Sequence, residues 1–353
     1  MSSELNPDFR SCDEVEVSEL TGWTDGTVTE EEALNIEHNA FEELEENNPQ
    51  AFQTRPARDP LPEMLEKWNE FQKSKGRYEG SADWSLLDEF AFKKPLLWKP
   101  QIIGSCVVSN TFRAYVIRQM YEIILLGVAE EYLGRDEYGP KNFSFYCPVT
   151  YGMARERANM RGGDGLYCEP MTASLMYDGV LSCNTPKLIE FLNLKGLGDS
   201  TDYPEPQGNS GAKLYRDFGN WKNLSYFKPY LDNPVLESPT VTNGDQLWDL
   251  LQAGKPAYVC SMEAIHKIGT HPDGFPIHAR NPRDRWAHNM AFHGAFIASD
   301  GERFIRQSNE SWGGHHIYNR RLEEVDNALR SGNLACQAIG EINGPPSSPP
   351  TVA

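Results

Sequence analysis

Apolar residues recur at helical spacing directly after the turn Gly104-Ser105. The pattern opens at Cys106 and stops at Gly134. Its apolar positions are Val107, Val108, Ala114, Ile117, Tyr121, Ile124, Leu125, Val128 and Tyr132. A pattern of this length predicts a buried helix that has Cys106 in its first turn.

Shorter amphipathic patterns predict four more helices. The first opens with the capping box Thr29-Glu-Glu-Glu32 and ends before Pro49. The others run over residues 62–75, 170–179 and 245–253, each with a glycine at its end or just after it.

Toward the C-terminus the pattern changes to short runs rich in β-branched and aromatic residues. These runs predict strands over residues 256–262, 290–298, 303–308 and 335–342. Because most of the helices precede the strands, we expect an α+β fold. It would have a helical half that carries the Cys106 helix, an antiparallel sheet half, and a cleft between them.

Acidic residues are concentrated at the N-terminus of the 353-residue chain. Residues 1–50 hold 15 acidic residues and one basic residue, a local net charge of −14 (1 − 15) out of −18 overall. Acidic stretches of this kind are usually solvated or bind a basic partner. We therefore expect an acidic leader or docking arm over residues 1–80, with an assembly partner for residues 1–50. A main domain would follow over residues 81–343, and a Pro-rich tail over residues 344–353.

The composition excludes several classes of partner. The excess of negative charge opposes binding to nucleic acid, and no apolar run reaches the roughly 18 residues of a membrane span. The first residues form neither a basic nor an apolar signal region. We expect a soluble cytoplasmic protein, or one incorporated in a viral particle, that binds neither nucleic acid nor membrane.

The cysteines and histidines show no metal-binding pattern. Seven cysteines without a Cys-x-x-Cys pair favour reduced thiols, and neither they nor the eight histidines have the paired spacing of zinc sites. We expect no metal and no cofactor. Of the histidines, His266, His271 and His278 are expected in a Gly/Pro-rich loop, and His293 as a hydrogen-bonded residue of the core.

A few positions could nevertheless supply chemistry. Cys106 at a helix N-terminus would have its thiolate favoured by unpaired backbone N–H groups, although a free cysteine is as often a small core residue. His288 stands at the entry of a predicted strand. Asn309 and Glu310 precede Trp312, an aromatic residue that could shield a hydrogen bond to the imidazole from water.

In their order and local sequence these positions resemble the papain-like cysteine peptidases, over residues 82–342. Gly104-Ser105-Cys106 matches the family's Gly-Ser-Cys at a helix start, and His288 stands six residues before Gly294. The segment Asn309-Glu-Ser-Trp-Gly313 is similar to the family's Asn-Ser-Trp-Gly with one residue extra.

The resemblance implies acyl transfer from a polypeptide substrate. Cys106 would be the nucleophile, His288 the general base, and Asn309 the residue that orients the imidazole. Gln101 and the backbone N–H of Cys106 would hold the oxyanion, and Trp312 would shield the site.

The chain also departs from the family pattern. Ile103 stands where relatives usually carry a disulfide cysteine, which implies a disulfide-free member, similar to ones encoded by bacteria and tailed phages. Gln101 lies five residues before Cys106, where the family usually has six. Counting back from the Trp-Gly pair without a gap makes Glu310 the orienting residue, whereas a one-residue bulge would give that position to Asn309.

Two other functions stay open. The same fold could serve a structural or assembly protein of a virion-like particle, with little or no activity. The same thiol chemistry could serve a cell-wall amidase or acyltransferase. An occluded cleft would favour the structural function, and activity on peptidoglycan would favour the amidase.

Overall fold

A computed structural model describes most of the chain. The described residues are 29–53, 59–93, 101, 103–126, 145–183, 185–197, 208–232, 234–285, 287–312 and 316–342, with only the backbone at positions 30 and 312. Among these residues, no helix combines the length and the apolar character that crossing a membrane requires. The Pro-rich tail and residues 1–28 and 54–58 of the acidic arm lie outside the described ranges.

Helices occupy most of the N-terminal two thirds of the described chain. They are α1 (Glu30–Asn47), α2 (Pro49–Phe52), α3 (Pro62–Ser74), α4 (Leu87–Phe92), α5 (Cys106–Leu126), α6 (Cys147–Arg157), α7 (Cys168–Tyr177), α8 (Pro186–Leu194), α9 (Gly208–Gly219), α10 (Leu224–Phe227), α11 (Gly244–Gln252) and α12 (Leu322–Arg330). Single 3-10 turns lie at Trp84–Leu86, Lys228–Tyr230 and Glu310–Trp312.

The predicted start of α1 is confirmed in detail. The backbone N–H of Glu32 donates to the Thr29 hydroxyl at 3.2 Å, and the backbone N–H of Thr29 donates to the Glu32 carboxylate at 2.8 Å. This reciprocal pair is a capping box, and it satisfies N–H groups that would otherwise lack a partner at the helix start.

Helix α5 begins at Cys106, as the sequence predicts. Its side chains are buried on every face except at the half-buried Glu122 and Leu126, because helices pack on one side of α5 and the sheet packs on the other. A helix that is buried on every face occupies a central position in the fold. The predicted end at Gly134 lies outside the described residues.

The strands form one mixed sheet, and all of them except the first lie in the C-terminal third of the chain. They are β1 (Ala82–Asp83), β2 (Ala257–Ser261), β3 (Ile265–Thr270), β4 (Pro276–Arg280), β5 (His288–Ile297), β6 (Arg303–Asn309), β7 (His316–Arg321) and β8 (Leu334–Ala338). The order across the sheet is β3-β4-β7-β6-β5-β2-β8, with β1 also pairing with β5. The predicted α+β class, a helical half followed by a sheet half, is confirmed. The sheet is antiparallel except that β4 and β7 run parallel.

The sequence prediction missed β1, β3, β4 and β7. It was wrong to place His266, His271 and His278 in one loop, because His266 lies in β3 and His278 lies in β4, with His271 at the turn between the two strands. Most of β3 is exposed, so its side chains do not alternate between apolar and polar.

The expectation of a disulfide-free chain is not confirmed. Cys168, the first residue of α7, and Cys260, in β2, form a disulfide with Cα atoms 6.5 Å apart. Sequence spacing could not reveal this pair, since 92 residues separate its members and neither belongs to a close-spaced motif. The bond joins the helical half to the sheet half.

The N-terminal segment packs against the rest of the chain. Trp68 of α3 stacks on Trp84 with ring centroids 5.2 Å apart, and α1 packs on both α7 and β8. The division into an arm, a main domain and a tail stays a prediction.

Candidate active site

Cys106 lies at the start of α5 and is completely buried. The turn before it closes when the backbone N–H groups of Val108 and Ser109 donate to the Ser105 carbonyl at 3.0 and 3.1 Å. The free N–H groups and positive dipole of a helix start favour the thiolate form of a cysteine in this position.

His288 is held from one side by two polar side chains. Its Nε2 lies 2.9 Å from Asn309 Oδ1 and 3.0 Å from Ser311 Oγ, and the Ser311 hydroxyl donates to the same Asn309 oxygen at 2.7 Å. Because Asn309 Oδ1 can only accept, Nε2 must carry the proton. The other ring nitrogen, Nδ1, is then the basic one.

The surroundings favour a neutral imidazole. Burial lowers the pKa of His288 from 6.5 to about 4, against a smaller opposing effect of the hydrogen bond to Asn309. In this closed form His288 would therefore be a weak base towards a thiol.

Glu310, the alternative orienting residue, pairs with an arginine of α5. Strand β6 ends at Asn309 and the 3-10 turn Glu310–Trp312 follows it. The Glu310 carboxylate lies 3.4 Å from Nε of Arg113, whose guanidinium also contacts Asp88 at 3.3 Å. The extra residue of the motif is thus absorbed by a helical turn and not by the expected bulge, and Asn309 contacts His288.

Gln101 is buried beside this turn. Its backbone N–H donates to the carbonyl of Ser311 at 2.6 Å, which fixes the chain entering the Cys106 turn against the chain leaving β6. The role of its side chain as an oxyanion donor stays a prediction, as does shielding by Trp312, whose side chain is not described.

Asn110, one helical turn after Cys106, joins all three predicted catalytic segments. Its Nδ2 donates to the carbonyls of Cys106 at 3.1 Å and Asn289 at 2.7 Å, and its Oδ1 accepts from the backbone N–H of Glu310 at 2.8 Å. Sequence reasoning missed Asn110 and Ser311. The position of Asn110 one helical turn after Cys106 was the available signal.

The site is closed to solvent. Cys106, His288 and Asn309 each have 0% of their surface exposed. Helix α1 bridges the two halves of the molecule, packing on α7 of the helical half and β8 of the sheet half. Its residues Ala33 and Phe41 join the same buried apolar cluster as Cys106.

Helix α1 also comes close to the His288 strand. The carboxylate of Glu37 lies within 4.8 Å of the sulfurs of Cys168 and Cys260. The side-chain amide of Asn289, the residue after His288, lies 3.2 and 3.5 Å from these sulfurs. The N-terminal helix therefore lies near the side chain of Asn289, on the strand that bears His288.

Within the described ranges, two clusters bring together side chains of the kinds that bind metals. In the first, Glu37 lies beside the disulfide sulfurs, which have no thiolate to offer while they are bonded. In the second, which comprises His271, Asp300 and Glu302, the glutamate already pairs with Arg321 at 2.6 Å. The donors of both clusters thus have protein partners.

His293 lies in the core, as predicted, but it lacks the expected hydrogen bonds. Within the described part of the chain neither ring nitrogen has a hydrogen-bond partner. Burial lowers its pKa from 6.5 to about 3, with the positive charge of Arg113 acting in the same direction. His293 is thus a neutral and unsatisfied histidine.

Comparison with known proteins gives similarity in structure alone. No protein-family model matches the chain, and no curated protein sequence matches it. Among solved structures, the chain is similar to xylellain, a cysteine protease from Xylella fastidiosa, with 13% identity, a TM-score of 0.45, and coverage of 83% of this chain and 97% of that one.

Two further solved structures are similar to a comparable degree. Digestive procathepsin L 3 from the larval midgut of Tenebrio molitor has 16% identity and a TM-score of 0.44, over 92% of this chain and 83% of that one. The bromelain protease from Ananas comosus has 12% identity and a TM-score of 0.41, over 75% of this chain and 100% of that one. Likenesses of this degree carry no argument about the activity of this chain.

Proposed function

We propose that the chain is a papain-like cysteine peptidase whose site is held closed by its N-terminal helix. The observation that supports this most is the hydrogen bond of 2.9 Å between His288 Nε2 and Asn309 Oδ1. It leaves Nδ1 as the basic nitrogen, and Asn110 ties β5, the strand that bears His288, to the start of the Cys106 helix.

The proposed reaction is acyl transfer to a thiol followed by hydrolysis. The Cys106 thiol gives its proton to His288 Nδ1, and the sulfur attacks the peptide carbonyl to form a C–S bond and an oxyanion. The Cys106 backbone N–H and Gln101 would stabilise that oxyanion. The imidazolium then donates this proton to the leaving amine as the C–N bond breaks. His288 next takes a proton from water, whose oxygen attacks the thioester carbonyl; the C–S bond breaks, the acid leaves, and the proton passes from His288 back to the Cys106 sulfur.

Closure is part of this proposal. With Cys106 and His288 fully buried, no peptide can reach the sulfur unless a covering element moves. Helix α1 is the candidate, because it spans both halves of the molecule. Its movement would also hydrate His288, and it would raise the pKa of the imidazole towards its ordinary range.

Complete burial also supports a second candidate function. A site that never opens would make the chain a structural or assembly protein that keeps the fold without the chemistry. The two functions differ in whether Cys106 becomes reactive once α1 is released.

The deciding experiment is labelling with a thiol-reactive peptidyl epoxide before and after site-specific cleavage of the chain between residues 53 and 59. We expect rapid labelling of the cleaved chain, abolished by Cys106→Ala. A matched control is Cys183→Ala, since burial raises the pKa of the Cys183 thiol to about 12 and makes it inert. A cleaved and folded chain that releases α1 but takes up no label would refute the peptidase and favour the structural protein.

A further inference from the structure

We infer that Asn110 is a positioning residue that fixes the nucleophile, the base and the orienting amide relative to one another. This inference rests on the proposed function. Asn110 is fully buried and touches neither the thiol nor the imidazole through any hydrogen bond described here, so it would act through the backbone of its neighbours.

The three bonds of Asn110 reach three separate elements. One goes to the carbonyl of Cys106 in α5, the second to the carbonyl of Asn289 in β5, and the third comes from the N–H of Glu310 just after β6. Each partner is a predicted catalytic residue or its immediate neighbour in sequence. A single rigid amide therefore relates Cys106, His288 and Asn309 to one another.

The chemistry of the side chain suits this task. A carboxamide is planar, so two donors and one acceptor are fixed relative to each other. Both protons of Nδ2 and one lone pair of Oδ1 are used, and no atom of Asn110 is left unsatisfied in the described part of the chain. Removing the amide would take one hydrogen-bond partner from each of two carbonyls and from one N–H, in an interior where water cannot replace it.

A second contact joins α5 to the turn Glu310–Trp312, but it does not duplicate the hydrogen bond made by Asn110. Arg113, almost one turn further along α5, lies 3.4 Å from the Glu310 carboxylate. This contact is made by a side chain with several rotatable bonds. The Asn110 contact is made by the backbone of Glu310, directly beside Asn309, and it therefore defines the position of Asn309 more tightly.

The variant Asn110→Asp separates the acceptor of this side chain from its two donors. The carboxylate has the same shape and can still accept from the Glu310 N–H, but at neutral pH it has no proton to donate to the two carbonyls. A displacement of about 1 Å between reacting groups costs on the order of a hundredfold in rate. We expect the cleaved chain with Asn110→Asp to lose about a hundredfold in kcat with little change in KM.

Two further variants keep the test interpretable. Asn110→Ser, in case the aspartate prevents folding, retains a hydroxyl that can reach the Cys106 carbonyl one turn back but not the Asn289 carbonyl, so an intermediate kcat is expected. The matched control is Gln119→Leu, which removes another buried amide of α5 that has no hydrogen-bond partner among the described residues. It should leave kcat unchanged.

The intact chain supplies a readout that does not depend on turnover. The imidazole nitrogen resonances of His288 should show the Nε2–H tautomer in the native chain and in Gln119→Leu, and a changed or broadened signal in Asn110→Asp.

The outcomes are distinct. A loss of kcat and a changed His288 signal in the Asn110 variants, both absent in Gln119→Leu, would support the inference. An active native chain whose Asn110→Asp variant stays within threefold in kcat, or falls no further than Gln119→Leu, would overturn it. A native chain that never turns over would refute the proposed function, and an unchanged His288 signal in Asn110→Asp would then also refute the positioning role.

Discussion

Glu37 of helix α1 accepts a hydrogen bond of 2.9 Å from the backbone N–H of Glu169, the second residue of α7. The same carboxylate also accepts from the backbone N–H of Cys168. The first N–H groups of a helix have no partner within the helix, and the helix dipole favours a negative charge there. One fully buried side chain therefore attaches the covering helix to the helical half.

The first prediction is that Glu37→Gln loosens this attachment. The amide keeps one acceptor but loses the charge, and a hydrogen bond to a charged group contributes about 1.5–3 kcal/mol. We expect the alkylation rate of Cys106 by iodoacetamide in the intact chain to rise about tenfold or more.

The control for this prediction is Glu42→Gln, an exposed position of the same helix. It should leave the alkylation rate at the native value. Equal rates in all three proteins would show that α1 does not control access to Cys106.

The second prediction concerns the choice between Asn309 and Glu310. Asn309 Oδ1 bonds to His288, whereas the Glu310 carboxylate contacts Arg113. Asn309→Ala should therefore lower kcat of the cleaved chain by up to about a hundredfold, because the imidazole loses its orientation. Glu310→Gln should instead cost about 3 kcal/mol of stability, since it leaves a buried arginine short of a partner.

Steady-state kinetics and urea unfolding of both variants test this separation. A large loss of kcat in a stable Glu310→Gln protein would return the orienting role to the carboxylate.

The sequence predicted those features that depend on residues close together in the chain. The start of α5 at Cys106 follows from a Gly-Ser turn directly before an apolar helical pattern, and the start of α1 follows from a capping box. The likeness of the Asn309 segment to a known motif pointed to the hydrogen bond with His288. It could not decide between Asn309 and Glu310, because one extra residue can enter a turn or a bulge.

The sequence did not predict features that depend on partners distant in the chain. Strand β7 reads as polar because it carries Arg320, which is buried only through ion pairs with Glu263 at 2.8 Å and Glu324 at 2.6 Å. The three partners of Asn110 lie in three different elements, and the packing of α1 on both α7 and β8 requires two halves of the fold to be in place. No local pattern encodes such arrangements.

The third prediction concerns the pH dependence of stability. Burial lowers the pKa of His288 to about 4 and that of His293 to about 3, from an ordinary value of 6.5. The unfolded chain therefore binds protons at a higher pH than the folded chain does. The stability that these neutral imidazoles contribute is complete above pH 6.5 and declines as the pH falls towards 4 and below.

His293→Leu isolates one of these contributions. The variant removes an imidazole whose nitrogens have no hydrogen-bond partner in the described chain, so its free energy of unfolding should decline less between pH 6.5 and 4 than that of the native protein. Urea unfolding over this range measures the difference in free energy of unfolding between the two proteins. The contribution of the carboxylates cancels in this difference, because both proteins contain them. Parallel pH profiles would mean that His293 is charged or hydrated in the folded state.

The fourth prediction concerns the turn that ends α7, the helix to which Glu37 attaches. Gly179 has a φ of +77°, and a Cβ at this position would collide with the backbone carbonyl of Asp232. That carbonyl accepts from the Val180 N–H at 2.8 Å, and Asp232 returns a bond of 3.0 Å to the Val180 carbonyl. The glycine is thus required both by its conformation and by the close approach of a second chain segment.

Gly179→Ala and Gly162→Ala separate these two causes. Gly162 has a similar φ of +71° but open space around it, so its substitution should cost only the left-handed conformation, about 1–2 kcal/mol. Gly179→Ala should cost a further 1–3 kcal/mol or so, because the backbone of Asp232 must move. Equal free energies of unfolding for the two variants would contradict the contact. A larger cost at Gly179, together with faster alkylation of Cys106, would show that this turn also supports the closure of the site by α1.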